Sequence, residues 1–272
     1  MFTILEKTQL SSTIKKIKIK APEISLKAKA GQFVVLVVDE KGERIPLTLA
    51  DWDIASGTIT LIFQEVGFTT KKLGTLNVGD SIQHLLGPLG KPADIEKFGT
   101  VVCIGGGVGI AEVYPLALAY KKAGNKVIAI LGTRSKELVI LENELKKFCD
   151  QVLVATDDGS YGQKGFVTDV LIQIITDKKN GLPQIDLVYA IGPVKMMKAV
   201  SELTRKYNIK TFVSLNPIMV DATGMCGSCR CKVAGKTVFG CVDGPEFNGH
   251  EVDFDELEKR LRLFEEQEKK IA

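Results

Sequence analysis

The chain has 272 residues, of which 45% are hydrophobic and 25% are charged, and its formal net charge is +3. The length suggests about two domains, and the composition excludes disordered and low-complexity classes. The nearly balanced charge also lacks the strongly basic face that is typical of nucleic-acid-binding proteins.

The sequence offers no candidate for a membrane span or a secretory signal. The longest apolar run covers residues 33–38, which is far short of the ~20 residues that a transmembrane helix needs. The first residues also lack the basic segment and long apolar stretch of a signal peptide. We therefore predict a cytoplasmic protein without membrane or nucleic-acid partners.

Residues 1–98 carry short β-rich runs that are separated by turn residues. The predicted strands cover residues 17–20, 32–38, 58–63 and 81–86. Many short strands with regular turns are typical of a small antiparallel barrel. We predict that residues 1–98 form an antiparallel β-barrel domain.

Residues 99–215 alternate between β-rich and helical segments. The predicted strands cover residues 100–104, 126–131, 151–156, 187–191 and 210–215. The predicted helices cover residues 109–123, 166–175 and 194–207. Because this alternation is typical of a parallel sheet with helices on both faces, we predict an α/β domain here.

Residues 216–272 form a third region, which holds a cysteine cluster and ends in a charged helix. Four of the six cysteines lie here, namely Cys226, Cys229, Cys231 and Cys241. The helix is predicted over residues 253–270, with Leu257, Leu261 and Phe264 on a packing face. So many thiols in an intracellular protein point to metal or redox chemistry.

The cysteine spacing resembles that of a plant-type 2Fe–2S site. Such sites use the pattern C-x4-C-x2-C followed by a distant fourth cysteine. Here Asp221 takes the first position, Cys226 and Cys229 follow it, and Cys241 lies farther along. The alternatives are unrelated thiols or a zinc site, although zinc sites usually pair two cysteine or histidine arms.

Two residues, Asp221 and Cys231, are candidates for the fourth ligand of the predicted cluster. Cys231 follows Cys229 by two positions, and alternate residues of a strand point to the same side. One cluster could bind that pair only with awkward geometry, so we favour Asp221. The predicted metal ligands are Asp221, Cys226, Cys229 and Cys241.

A glycine-rich run over residues 104–109 stands between a predicted strand and a predicted helix. Glycines let a backbone approach a pyrophosphate, and a helix N-terminus favours its charge. Ile110 occupies the third glycine position of the dinucleotide fingerprint, so the dehydrogenase-type version of this fold is excluded. The alternative is a tight strand-to-helix turn without a ligand.

The barrel region adds a weaker signal, in which Arg44 and Thr48 stand four positions apart and residues 67–71 follow. An arginine and a hydroxyl at this spacing could hold the diphosphate and the isoalloxazine ring of a flavin. Taken alone, Arg44 would be interpreted as a solvated hairpin residue.

Together these motifs resemble the ferredoxin–NADP reductase superfamily, in the branch with the dihydroorotate dehydrogenase electron-transfer subunits. Residues 220–230 and 241–250 resemble most closely the small (alpha) subunits of NADH-dependent reduced ferredoxin:NADP oxidoreductases. Those subunits are also known as sulfide dehydrogenase subunit beta. Dihydroorotate-linked subunits have a cysteine where Asp221 stands, whereas the transhydrogenase subunits are understood to use one aspartate and three cysteines.

The resemblance implies FAD, NAD(H) and one 2Fe–2S cluster as cofactors, with no acid–base catalytic residue. The residues implied to contact FAD are Arg44, Pro46, Leu47, Thr48, Gly67, Thr69 and Thr70. Those implied to contact NAD(H) are Gly106, Gly107, Val108, Thr133, Arg134, Asp157, Asp158, Gly192 and Pro193.

The resemblance also implies a partner, namely a large subunit with a second flavin and 4Fe–4S clusters that binds NADP(H) and ferredoxin. The chain would then be half of a heterodimer that catalyses electron-bifurcating transhydrogenation. Two alternatives remain, the electron-transfer subunit of dihydroorotate dehydrogenase and a zinc-stabilised nucleotide-binding regulatory module.

Overall fold

In the computed structural model, which describes residues 2–176 and 184–266, the chain forms two compact units. The first contains the described residues up to Ala93, those from Asn216 to Pro245 and those from Asp255 onward. The second contains Asp94–Leu215 and Glu246–Phe254. The division into three domains at residues 98/99 and 215/216 stays a prediction.

The first unit is built on a near-closed antiparallel barrel sheet. Its elements are β1 (Phe2–Gln9), β2 (Ile14–Lys20), α1 (Pro22–Lys27), β3 (Phe33–Val37), β4 (Ile45–Asp53), β5 (Thr58–Gln64), α2 (Phe68–Thr75), β6 (Ser81–Ile82) and β7 (His84–Leu89). The strand order is β6-β1-β2-β5-β4-β3-β7. The predicted antiparallel barrel is thereby confirmed, although β1 and β4 were not predicted and the strand at 81–86 is divided into β6 and β7.

Strand β3 separates two apolar clusters because its side chains alternate between the two faces of the sheet. Val34 and Leu36 belong to the barrel core. Phe33 and Val35 point the other way and belong to a second cluster, with Cys229 and Cys241. The barrel wall therefore carries the cysteine region on its outer face.

The second unit contains the predicted α/β alternation. Its elements before the cysteine region are β8 (Thr100–Gly106), α3 (Ile110–Lys122), β9 (Lys126–Thr133), α4 (Glu142–Lys146), β10 (Gln151–Thr156), β11 (Gln163–Lys164), α5 (Val167–Thr176), β12 (Leu187–Ile191), α6 (Val194–Lys206) and β13 (Lys210–Ser214). Every predicted strand and helix of this region is present to within a few residues. The short elements α4 and β11 are additions that the sequence pattern did not indicate.

The C-terminal region adds a hairpin, a short strand and a helix. These elements are β14 (Arg230–Val233), β15 (Lys236–Phe239), β16 (Glu246–Asn248) and α7 (Phe254–Leu261). The helix predicted over 253–270 is wrong in length because α7 ends at Leu261 and a turn follows at 262–264. Leu257 is buried as expected, but Phe264 lies beyond the helix and is 47% exposed. Residues 267–270 of that prediction lie outside the described part of the chain.

The sheet of the second unit has a topological switch point between β8 and β12. Its order is β11-β10-β9-β8-β12-β13-β16, and every pair is parallel except β13 with β16. From β8 the chain adds β9 on one side and later β12 on the other. In open α/β sheets, ligands bind at the carboxyl ends of the strands that flank such a point. Within the described ranges, no helix is long and apolar enough to cross a lipid bilayer.

Candidate functional site

The predicted nucleotide residues meet at the switch point of the parallel sheet. Strand β8 ends at Gly106, and Gly192 follows the last residue of its neighbour β12. A Cβ atom on Gly192 would lie 2.9 Å from the Gly106 Cα atom, so the two backbones are in direct contact. The structure thus brings together Gly106, Gly107, Gly192 and Pro193 from positions that are far apart in the chain.

The glycines of this loop serve two purposes. A Cβ atom on Gly105 would lie 2.8 Å from the Ile110 Cα atom, and one on Gly109 would lie 2.7 Å from the Ile191 carbonyl oxygen. These two glycines are therefore required by close packing, as the tight-turn interpretation expects. Gly107 differs because its φ is +58° and a Cβ atom there would meet nothing within 4 Å.

Gly107 thus leaves open backbone at the start of the 3-10 turn Gly107–Gly109, which leads into helix α3. The first amide groups of a helix have no intrahelical acceptor and carry a partial positive charge. The arrangement can accept a phosphate at this point, and the residues that are present fit the pyrophosphate of a dinucleotide.

The residues predicted for the adenosine side lie on two loops that are tied together. The Asp157 amide donates to the Thr133 carbonyl at 3.1 Å, and the Asp158 amide donates to the Arg134 carbonyl at 3.2 Å. The Asp158 carboxylate accepts from the amide and hydroxyl of Ser160, and these hydrogen bonds lower its pKa. Arg134 is exposed, so this edge presents one guanidinium next to an ionised carboxylate.

Within the first unit, strand β4 presents the residues predicted for the flavin ring. Thr48 lies opposite Phe33 and Pro46 lies opposite Val35. Directly opposed residues share a face of the sheet, so Pro46 and Thr48 lie on the face that carries the cysteines. Leu47 instead packs against the barrel core.

The start of α2 is organised by its own threonines. The Thr70 hydroxyl accepts hydrogen bonds from the amides of Val66 and Gly67, at 3.1 and 3.0 Å. Thr69 is buried, and its hydroxyl donates to the Glu43 carboxylate at 3.1 Å. The Thr70 hydroxyl thus organises the loop before α2, and Thr69 links the start of the helix to the β3–β4 loop. A helix N-terminus favours a phosphate.

Arg44, which directly precedes β4, connects that strand to the cysteine region. Its Nη1 atom donates to Asp221 Oδ1 at 3.1 Å, in an ion pair whose side chains are 54% and 22% exposed. The other carboxylate oxygen accepts from the Thr223 amide and hydroxyl and from the Met225 amide. The hydrogen bonds from Thr223 and Met225, and then the charge of Arg44, lower the pKa of Asp221. The sequence pattern did not predict this pairing.

The predicted cluster ligands lie in two pairs. The Sγ atoms of Cys229 and Cys241 are 3.2 Å apart, and both residues are buried. The other two predicted ligands are Asp221 and Cys226, which are in contact through the Asp221 backbone amide. Backbone hydrogen bonds from the amide groups of Ser228 and Asp221 lower the pKa of the Cys226 thiol. A 2Fe–2S cluster has two protein ligands on each iron, so this donor set fits such a cluster.

Cys231 is the remaining cysteine of this region. It is buried on strand β14, and its thiol donates to the Cys229 carbonyl at 3.5 Å. Burial raises the pKa of this thiol to about 12, as it also does for the predicted ligand Cys241, so the pKa does not distinguish the two thiols. Among residues 2–176 and 184–266, no three His, Cys, Asp or Glu side chains gather closely enough to hold a single metal ion.

The cysteine loop is also held by two arginines that the sequence pattern did not indicate. Arg230 Nη1 donates to the Gly227 carbonyl at 3.1 Å, and Arg260 Nη2 donates to the Ser228 carbonyl at 3.0 Å. Arg230 adjoins the motif and could have been suspected from its position. Arg260 is 31 residues beyond Cys229 in the chain, so no local signal connects it to the loop.

Comparison with known proteins places this arrangement in a family. The chain is 47% identical over 271 residues to the dihydroorotate dehydrogenase B (NAD(+)) electron transfer subunit homolog of Thermotoga maritima, covering 96% of this chain and 94% of that protein. The chain belongs to the family of dihydroorotate dehydrogenase B electron transfer subunits and their homologues. A second member of this family, from Fusobacterium nucleatum, is 34% identical and covers 93% of this chain and 98% of its own length.

Sequence profiles and solved structures agree with this family. The profile of the iron–sulfur cluster binding domain of dihydroorotate dehydrogenase B matches residues 216–253. The oxidoreductase NAD-binding domain matches residues 103–202. The structure of an NADH-dependent reduced ferredoxin-NADP oxidoreductase, described in connection with flavin-based electron bifurcation, has a TM-score of 0.93 and 45% identity and covers 100% of this chain and 96% of its own.

A more distant structure shows the fold alone. The ferredoxin reductase of carbazole 1,9a-dioxygenase has a TM-score of 0.63 at 18% identity, covering 76% of this chain and 65% of that one.

The predicted ferredoxin–NADP reductase-like fold and the resemblance to the oxidoreductase small subunits are confirmed. The predicted cofactors FAD, NAD(H) and a 2Fe–2S cluster are confirmed for this family member. The individual contact residues stay predictions.

Proposed function

We propose that this chain is the electron-transfer subunit of an electron-bifurcating, ferredoxin-dependent NADH:NADP transhydrogenase. The observation that carries the proposal is Asp221, which stands at the first ligand position and lies beside Cys226 and Arg44. By the family resemblance, an aspartate at this ligand position is typical of the transhydrogenase subunits, whereas the dihydroorotate-linked subunits have a cysteine. The similarity to the solved oxidoreductase adds support over the full length of the chain.

In this proposal the first unit binds FAD through β4 and the start of α2. Arg44 and the amides after Gly67 hold the phosphates, with Thr69 and Thr70 fixing the loop. Pro46 and Thr48 lie along the ring on the outer face of the barrel. Leu47 supports that strand from the core side.

The second unit binds NAD(H) at its switch point. The Gly107–Val108 segment and the N-terminus of α3 receive the pyrophosphate, and Gly192-Pro193 borders the nicotinamide pocket. Thr133, Arg134, Asp157 and Asp158 lie on the two tied loops and meet the adenosine side. These contacts orient the dinucleotide.

The cysteine region supplies the one-electron site. Asp221, Cys226, Cys229 and Cys241 hold a 2Fe–2S cluster on the same barrel face as Pro46 and Thr48. When bound, the flavin exchanges a hydride with the nicotinamide and single electrons with the cluster. The chain's own residues contribute positioning and electrostatic tuning.

The partner in this proposal is a large flavin and 4Fe–4S subunit that binds NADP(H) and ferredoxin. Exposed apolar side chains beside the cysteine loops support a docking surface there, since Met225, Val220 and Val242 are 88%, 54% and 44% exposed.

The second candidate function is electron transfer for a dihydroorotate dehydrogenase. It is favoured by the names of the relatives from Thermotoga maritima and Fusobacterium nucleatum.

The experiment that tests the proposal is purification of the native complex through a tag on this chain. Copurification of a large iron–sulfur flavoprotein, with NADP reduction that needs both NADH and reduced ferredoxin, is the expected result. Copurification of a dihydroorotate dehydrogenase, with orotate formation coupled to NAD reduction, would assign the second function. A colourless protein that contains zinc would instead support the regulatory module.

We expect NADH to reduce the flavin of this chain faster than NADPH does at equal concentration. The reason is the Asp158 carboxylate, whose pKa is lowered and which stands on the same edge as Arg134, so that it repels a 2′-phosphate. Stopped-flow absorbance of the oxidised flavin measures both rates. Faster reduction by NADPH would show that Arg134 binds the 2′-phosphate, as an arginine can, and that the two nucleotides are assigned to the wrong subunits.

Replacing Arg44 with alanine should weaken FAD binding. Loss of a charge-assisted phosphate contact costs about 1.5–3 kcal/mol, which corresponds to about 10- to 150-fold in the dissociation constant. Titration of the deflavinated chain with FAD gives this constant. Lys41→Ala is the matched control, because Lys41 is exposed in the same turn and should not affect binding. Equal FAD affinity in Arg44→Ala and the control would remove Arg44 from the flavin site.

A further inference from the structure

Two of the three peptides that join Cys226 to Cys229 have a carbonyl oxygen that accepts from an arginine side chain. Arg230 binds the Gly227 carbonyl and Arg260 binds the Ser228 carbonyl, at 3.1 and 3.0 Å. These are the two residues that separate the cysteines of the C-x2-C motif. The Gly227 carbonyl also accepts from the Arg230 backbone amide at 3.3 Å, whereas the contact with the Ser228 carbonyl comes from the distant Arg260.

Fixing a carbonyl also fixes the amide on the other side of the same peptide. A trans peptide is planar, and its C=O and N–H bonds point in opposite directions. The peptide whose oxygen accepts from Arg230 carries the Ser228 amide, and that amide donates to Cys226 Sγ at 3.4 Å. By the same geometry, the peptide whose oxygen accepts from Arg260 turns the Cys229 amide away from Arg260.

Arg260 is the more informative of the two arginines because it comes from a separate element. It projects from α7, a helix anchored by Leu257, whose side chain is 1% exposed. Arg260 is half-buried and lines a cavity of about 270 Å³ together with Cys226, Ser228 and Leu261. A charge in such a partly desolvated place interacts more strongly with its neighbours than one in bulk water.

We propose that Arg260 is a positioning residue for the iron–sulfur loop. It fixes the Ser228–Cys229 peptide, so that backbone amides face the sulfur atoms, and it places one positive charge beside the cluster. Net charge and hydrogen bonds to the sulfurs set the reduction potential of such clusters. Because the reduced cluster carries one more negative charge, Arg260 favours reduction and raises the potential. The inference rests on the proposed ligands Cys226 and Cys229.

The test compares three variants of the full chain, loaded with its cofactors. Arg260→Gln removes the charge, Arg260→Lys keeps the charge but loses the planar guanidinium, and Arg262→Gln is the control. Arg262 lies two residues away on the same segment and is ion-paired to Glu258. A redox titration followed by electron paramagnetic resonance gives the potential, and loss of visible absorbance in a chelator gives the lifetime of the cluster.

Arg260→Gln should lower the ratio of reduced to oxidised cluster about tenfold at a fixed potential, which is 59 mV for a one-electron couple. Arg260→Lys should keep the ratio to within about twofold, because the charge that sets the potential is retained. Its lifetime in chelator should nevertheless fall about threefold or more, because the fixed fork geometry is lost. Arg262→Gln should change neither quantity.

An unchanged potential in Arg260→Gln overturns the inference. If that variant retains no cluster, the lifetime of Arg260→Lys decides, and a lifetime equal to that of the unsubstituted chain overturns it as well. Absence of a cluster from the unsubstituted chain would refute the proposed function and this inference together, whereas an unchanged potential in Arg260→Gln refutes the inference alone.

Discussion

Replacing Asp221 with alanine should leave the chain unable to retain its iron–sulfur cluster, whereas Cys231→Ser should leave the cluster in place. The Asp221 backbone amide hydrogen-bonds to the Cys226 sulfur, and Cys231 lies buried on β14. Loss of a direct ligand should exceed the ~10–100-fold loss of metal affinity that removal of an outer hydrogen-bond partner causes. Iron content per chain and the chelator lifetime of the visible absorbance measure this effect.

Asp221 also organises its own loop, and two further variants separate this role from ligation. Its carboxylate accepts from the amides of Thr223 and Met225. Asp221→Asn keeps an acceptor for these amides but offers iron a neutral amide, so it should lose the cluster. Asp221→Cys keeps an anionic ligand and gives up the loop hydrogen bonds, so it should retain a cluster with a shifted potential.

The opposite pattern would change the ligand set. A stable cluster in Asp221→Asn and Asp221→Ala, together with cluster loss in Cys231→Ser, would assign Cys226, Cys229, Cys231 and Cys241 as the ligands. It would also remove the main support for the transhydrogenase over the dihydroorotate dehydrogenase. The four variants therefore test the cluster and the proposed function with one set of measurements.

The parallel sheet was predictable because its strands are buried on both faces. Central strands such as β12 are continuous apolar runs, and this pattern is visible without knowledge of the neighbours. The barrel was harder. Strand β4 has a proline, Pro46, as its second residue and contains two aspartates. Its pairing is also interrupted by a register shift between Leu49 and Asp51. These features conceal the alternation that marks a strand.

The candidate site was predictable where its signal is local and unpredictable where it depends on distant contacts. The C-x2-C pair and the glycine run are short motifs whose chemistry can be inferred from spacing. The pairing of Arg44 with Asp221 joins residues separated by 177 positions. The contact from Arg260 to Ser228 spans 32. Nothing in spacing or periodicity determines which surface side chains meet across such separations.

The glycines of residues 104–109 differ in their structural surroundings. The composition of this run predicts a phosphate loop, and a tight turn is the alternative. In the structure, Gly105 and Gly109 are needed for backbone packing, and Gly107 alone combines a positive φ with open space. Close packing at Gly105 and Gly109 supports the tight turn, and the phosphate loop stays a prediction that substitution of Gly107 tests.

Gly105→Ala should strongly destabilise the second unit, whereas Gly107→Ala should mainly weaken NAD(H) binding. The new methyl group on Gly105 would lie 2.8 and 3.0 Å from the Ile110 Cα and N atoms, which can yield only if helix α3 shifts. Overpacking of this kind costs about 1–3 kcal/mol, occasionally more. At Gly107 the strain of a left-handed alanine is about 1–2 kcal/mol, but no atom is displaced.

The two variants are therefore expected to separate stability from binding. Urea unfolding of the protein measures stability, and NADH titration of the folded protein measures binding. The matched variant is Gly107→Asn, since asparagine tolerates the left-handed conformation better than alanine does. It should fold nearly as well as the unsubstituted chain, yet bind NADH more weakly because its side chain occupies the open side of the loop. Normal NADH binding by a folded Gly107→Asn protein would mean that the pyrophosphate does not approach Gly107 and that the loop is only a turn.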